Sequence, residues 1–231
     1  MTQNPFEAPR VGDAPNPQAG TGTFDIGRCV NDGWTAVTQN LGVVIATVLV
    51  GMLAAVAAEM TVIGIFVIVP VLAWGGVRFV LNLLDGRAQF DDLFSGFKQF
   101  GNALGSMLLL SLISIVPLIP GYALAIAGGM TRSMALAGVG ELAIVVVMFV
   151  VMIRLYFAAF FVVDQGMGAM DAVKASWAAT QHQKLMTLGL VIVSGLIGSL
   201  GVLACGLGAL VSLPISYVMI ASAYRQTVGA R

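Results

Sequence analysis

The sequence predicts an all-α integral membrane protein of six transmembrane helices. They form three hairpins, each preceded by an amphipathic helix in the cytoplasmic interface, so the chain reads as a three-fold internal repeat. Three observations carry this expectation. Of the 231 residues, 58% are hydrophobic and 10% charged, where a soluble domain has about 45–50% apolar and about 25% charged residues. The apolar residues gather into runs long enough to cross a bilayer. Between those runs, one short amphipathic pattern built around an aromatic residue returns three times.

Residues 1–22, MTQNPFEAPRVGDAPNPQAGTG, are polar and rich in Pro and Gly. Such a stretch has too few apolar side chains to offset chain entropy and is expected to be a disordered cytoplasmic tail, a spacer in preference to a docking peptide. It lacks the basic start and 7–15-residue apolar core of a secretory signal. The membrane domain follows over residues 23–226, with repeats at about 24–84, 90–163 and 170–226. Residues 227–231 form a short cytoplasmic C-terminus.

A span needs about 20 mostly apolar residues to cross about 30 Å of hydrocarbon. Residues 41–58 and 61–84 give the first hairpin, with Glu59 in its turn. Residues 103–126 give the third span, kinked at Pro117 and Pro120, and 142–163 the fourth. Residues 185–204 and 207–224 make the last hairpin around Cys205 and Gly206, and Pro70 and Pro214 bend its second arm and that of the first hairpin. Arg10, Arg28, Arg87, Lys98, Lys174, Lys184, Arg225 and Arg231 fall on the side of the two termini, and Arg78 and Arg154 lie in the helix halves nearest it. Only Arg132 lies on the other side. The excess of Lys and Arg marks the cytoplasmic face, so both termini are expected to be cytoplasmic and the residence the inner membrane.

In the 90–100 segment FDDLFSGFKQF, Phe90, Leu93, Phe94, Phe97 and Phe100 recur every three or four residues, opposite Asp91, Asp92, Ser95, Lys98 and Gln99. The segment is too short to span and has the build of an interfacial helix. Residues 24–38 and 170–183 repeat the design. Aligned on the aromatic, the three share Val30, Leu93 and Val173, then Gly33, Gly96 and Ser176, then Trp34, Phe97 and Trp177. The aromatics are the expected headgroup-level anchors, and the small residue before each permits close helix approach.

At RLYFAAFFVVDQGMGAMDAVKASW, residues 154–177, the chain resembles bacterial membrane-protein families related to the membrane domain found beside some glycerophosphoryl diester phosphodiesterases. The residues that carry the likeness are Arg154, Leu155, Asp164, Ala172, Ser176 and Trp177, with Gly33 and Trp34 in the opening helix. The resemblance covers roughly residues 24–226. It implies six-helix architecture and inner-membrane residence, and it brings no catalytic residues. No segment outside the spans is long enough to hold the phosphodiesterase domain itself.

Arg78 and Arg154 are the candidate ligand contacts. Each lies within an apolar helix ahead of an aspartate, in comparable places of successive repeats. Snorkelling or an internal pair is one reading; contact with an anionic phospholipid headgroup or a substrate is the other, since a guanidinium matches phosphate with two donors. Asp85, Asp91, Asp92, Asp164 and Asp171 fall at helix ends or in interfacial segments and read as caps and solvated charges, as Glu59 and Glu141 do near turns. Ser194, Gly195, Gly198 and Ser199 form a small-residue packing face, turned into the bundle or toward a second copy. Pro117, Pro120 and Gly121 read as a kink in preference to a transporter-type broken helix.

Lys plus Arg equals Asp plus Glu at 11 each, so no basic field points to nucleic acid. One histidine, His182, reads as solvated, and Cys29 and Cys205 are placed on opposite faces. No metal centre, cofactor or catalytic nucleophile is expected. The expected function is that of a non-enzymatic multi-pass membrane protein that binds or organises anionic lipids or membrane partners. The alternative is a small transporter or channel, disfavoured by the lack of acidic residues at mid-span.

Overall fold

The computed structural model describes residues 23–181, 183–203 and 208–229. The expectations for the 1–22 tail, His182, the Cys205–Gly206 turn and residues 230–231 fall outside them. Among the described residues the chain is helical and contains no strand.

Helix α1 (Ile26–Gln39) starts at Asp25, whose carboxylate accepts from the Arg28 N–H at 2.7 Å, a standard N-cap. Helix α2 (Leu41–Glu59) turns into a π-helical stretch, Gly64–Ile68, and then α3 (Val69–Leu84). Pro70 supplies the cause of the wide turn, since it lacks an N–H and its ring crowds the carbonyl four residues back. Gly64 is required there because a Cβ would overlap the Ala58 carbonyl.

The 90–100 segment is not one helix. A 3₁₀ turn, Phe90–Phe94, capped by Gln89 and Asp92, leads into the single turn α4 (Ser95–Lys98) and then α5 (Phe100–Ile115). The consecutive prolines reshape the next span, with a 3₁₀ turn at Val116–Leu118 before α6 (Ile119–Met130). Helix α7 (Met134–Arg154) begins at the Ser133 cap and packs along α6, where Gly121, Gly128 and Gly140 let the backbones touch.

The fourth span was expected to run unbroken over 142–163. Instead it stops at Arg154 and resumes as α8 (Ala158–Gln165). Helix α9 (Ala169–Gln181), α10 (Lys184–Leu203) and α11 (Ala209–Val228) complete the chain.

Among the described residues, five stretches are long and apolar enough to cross a bilayer: Leu41–Glu59, Gly64–Leu84, Phe100–Met130, Met134–Gln165 and Lys184–Gly201. The chain is a membrane protein. Phe100–Met130, at 31 residues, measures about 46 Å at a rise of ~1.5 Å, longer than the predicted span and than the hydrocarbon itself. Helix α11 is less apolar and is largely enclosed. Ile215, Val218, Met219, Ala221, Ala223 and Tyr224 are all buried on it. Its hydroxyls are bonded inside the protein, Ser216 Oγ donating to the Ser194 carbonyl (2.7 Å) and Ser222 Oγ to Asp32 (2.6 Å). A helix surrounded by protein can carry serine where one facing lipid cannot do so cheaply.

The three amphipathic segments, expected to lie in an interface, each pack against another helix. On α1, the Asp25 N–H reaches Gln226 and Asp32 accepts from Ser222, while Gly33 abuts Ile215. The two helices therefore run side by side in opposite directions. The 90–98 segment doubles back along α3, with Leu93 against Gly75 and Gly96 against the Val71 carbonyl. Helix α9 returns along the α7–α8 junction, where Ser176 Oγ donates to the Arg154 carbonyl at 2.8 Å.

Candidate functional site

Between α2, α3, α7–α8, α10 and α11 lies a cavity of about 820 Å³, within the roughly 300–1,000 Å³ of small-molecule sites. Small residues on facing helices create it: Gly51 on α2, Gly76 on α3, Ala159 on α8, and Gly195 and Gly198 on α10. Gly76 and Gly195 have nothing within 4 Å of where a Cβ would stand, and Gly195 and Ser199 are exposed, so the cavity is open on that side. Aromatic and aliphatic side chains, among them Phe79, Phe160 and Val80, supply most of the wall, and no lining residue carries a charge.

The polar atoms of the wall are hydroxyls. Tyr156 OH lies 3.1 Å from Ser194 Oγ, which itself reaches the Val191 carbonyl at 3.2 Å. Ser216 Oγ bonds the carbonyls of Ser194 and Ser212. Thr47 differs: it is 3% exposed and its hydroxyl has no partner.

Neither predicted arginine lines this cavity. Ala73, Gly76, Val77 and Val80 turn one face of α3 to it, whereas Arg78 stands four residues from Trp74 and shares that face. Arg78 is exposed and makes no hydrogen bond or ion pair among the described residues. Arg154 is half-buried, its guanidinium 4.4 Å from the centroid of the Trp177 ring and 3.4 Å from the Trp177 carbonyl. The two arginines, expected in comparable places, have unlike surroundings: one is mid-helix and free, the other ends a helix and is engaged.

Beside Arg154, Ser176 closes the break in the span. Its hydroxyl donates to the Arg154 carbonyl and accepts from the Phe157 N–H at 3.2 Å. Two backbone groups orphaned by the break are thus satisfied by one side chain.

The polar centre that sequence reasoning missed is built around Arg225. Its guanidinium bonds Asp85 at the end of α3 (3.0 Å) and Asp164 on α8 (3.3 Å). Tyr224 OH donates to Asp164 at 2.9 Å and accepts from Gln165 at 3.1 Å, while Arg87 reaches Asp85 at 2.8 Å. The aspartates read as caps are therefore shared anchors that tie the ends of α3, α8 and α11 together. The Tyr224 ring stands among Phe157, Phe160 and Phe161, with centroids 5.1–6.3 Å away.

Trp34, Phe97 and Trp177, the predicted anchors, are all exposed. Of the predicted packing face, Ser194 and Gly198 are buried against α11, where Ser212 Oγ donates to the Gly198 carbonyl at 3.1 Å. Gly195 and Ser199 border the cavity. A threonine in an apolar helix and a tyrosine beside an arginine are ordinary in sequence, so Thr47 and Tyr156 gave no signal. No group of metal-binding side chains forms among the described residues.

Residues 94–229 match the family model described as Domain of unknown function (DUF7847), a stretch from the 3₁₀ turn before α4 through α11 that covers more than half of the chain. No curated protein and no solved structure matches it.

Proposed function

We propose that this chain, which belongs to the DUF7847 family, is a non-enzymatic multi-pass membrane protein that holds a bilayer lipid in the side cavity of its helical bundle. The observation that carries the reading is the cavity itself: uncharged, apolar and open on the side of Gly195 and Ser199. A groove of that composition between apolar helices accepts a lipid chain at little desolvation cost.

Within this reading α11 is the sixth span and the bundle consists of three related units. Gly33, Gly96 and Ser176 each meet a backbone carbonyl of a neighbouring helix, those of Ile215, Val71 and Arg154 respectively. Pro70 and Pro214 immediately precede two of these carbonyl residues. Asp85, Arg87, Asp164 and Arg225 gather at one end of the bundle, which fits a shared cytoplasmic end in the inner membrane. The resemblance to the phosphodiesterase-associated membrane domain belongs to the same reading. Arg78, exposed and without a hydrogen bond or ion pair among the described residues, is free to meet an anionic headgroup on the outer surface.

Native mass spectrometry in mild detergent tests the proposal. Gly195 has open space where a Cβ would stand, so Gly195→Phe is expected to remove a lipid that wild type retains while the unfolding midpoint holds. Equal lipid retention by both proteins would refute the reading.

A further inference from the structure

The small residues that create the cavity stand at mid-depth in their helices. Gly51 lies ten residues after Leu41 and eight before Glu59 in one apolar stretch, and Gly76 twelve after Gly64 and eight before Leu84 in the next. Gly195 lies eleven after Lys184 and six before Gly201. At a rise of ~1.5 Å per residue, each is roughly 9–18 Å from either end of its stretch. With these stretches across the bilayer, the opening beside Gly195 faces the interior of a hydrocarbon layer about 30 Å thick, where acyl chains lie and headgroups do not.

The wall matches that depth. No lining residue is charged, so a phosphate drawn inside would meet no counter-ion. The Tyr156 hydroxyl is paired with Ser194, and that of Ser216 donates to the Ser194 carbonyl. A headgroup at this depth would give up its hydration with little in return. The end of an acyl chain has no hydration to lose and is complementary to Phe79, Val80 and Phe160.

We infer that a bilayer phospholipid occupies the cavity with the terminal part of one acyl chain, entering beside Gly195, while its headgroup stays at the bilayer surface. The inference rests on the lipid-binding reading above and adds which part of the lipid is held. Phe79 and Val80 are the residues that report it, since both line the cavity and are buried from the outer surface.

The test uses the full chain in phosphatidylcholine nanodiscs carrying a trace of one of two photoactivatable phosphatidylcholines, with a diazirine either at the end of an acyl chain or in the headgroup. Labelled residues are mapped by peptide mass spectrometry. The chain-end probe is expected to label Phe79 and Val80, and the headgroup probe neither. That labelling is expected to be lost in Gly195→Phe and also in Gly76→Leu, a second position with open space where a Cβ would stand. Labelling of Phe79 or Val80 by the headgroup probe, lost in both variants, would overturn the inference and leave the lipid site standing. Labelling by neither probe, or labelling unchanged in both variants, would remove the site itself.

Discussion

The Arg154 guanidinium lies 4.4 Å from the centre of the Trp177 ring, across a separation of 23 residues in sequence. A cation over an indole face is worth about 0.5–2 kcal/mol, more where water is excluded. The pair joins the end of α7 to α9 and commits Arg154 to the protein. Trp177→Ala is expected to lower stability by about 1–2 kcal/mol, read as an earlier midpoint in detergent unfolding, and Arg154→Ala by a similar amount. The double variant should cost little more than either single one, and fully additive losses would contradict the contact.

Ser176 is the second join between the same elements. Removing its hydroxyl in Ser176→Ala leaves the Phe157 N–H and the Arg154 carbonyl short of a partner. An unsatisfied buried group costs about 1–3 kcal/mol, so a loss near 2 kcal/mol is expected. Hydrogen exchange should accelerate at residues 155–158 first. Unchanged exchange there would mean that the break holds itself.

Arg225 faces two aspartates, and all three side chains are 19–22% exposed. Breaking such a pair from one side leaves like charges together, at a cost of about 3 kcal/mol. Arg225→Ala is expected to destabilise the bundle by roughly that amount. Asp164→Asn in the Arg225→Ala background should restore part of the loss. No rescue by Asp164→Asn would argue against the ion cluster as the tie between α3, α8 and α11.

Burial pushes the Cys29 thiol up from its ordinary value of 9.0 to about 11, while hydrogen bonding to Ser222 opposes the shift. A raised folded value favours the neutral thiol in the native state. Its contribution to stability is therefore intact below about pH 9 and falls as pH rises from 9 toward 11. In a Cys205→Ala background, maleimide labelling of Cys29 at pH 8 should be far slower folded than unfolded. Rapid labelling of the folded protein would contradict the buried position of α1 against α11.

Some of this arrangement was legible in the chain and some was not, for physical reasons. The small residue ahead of each aromatic pointed to close helix contact, and Gly33, Gly96 and Ser176 do touch neighbouring backbone. Helix periodicity told which face was apolar but not which helix that face would meet, and the partners of these three segments come from distant parts of the chain. The break at residues 155–157 contains neither Pro nor Gly; it is held open by Ser176 from a later helix, a partner that no local pattern announces. Asp85, Asp164 and Arg225 looked like separate helix ends because their pairing spans 61 to 140 residues. The cavity is the sum of small residues on several helices, of which only the face at Ser194, Gly195, Gly198 and Ser199 stood out locally.

Whether a lipid occupies that cavity is read by photo-crosslinking from within it. Benzoylphenylalanine replaces Gly195, which has open space beside it, and in a control Leu142, an exposed residue of α7. Both variants are illuminated in membranes and their adducts are weighed. One predominant lipid adduct is expected at position 195 and a mixture reflecting bulk composition at position 142. The same bulk mixture at both positions, or a crosslink from 195 to another helix of the protein, would contradict it.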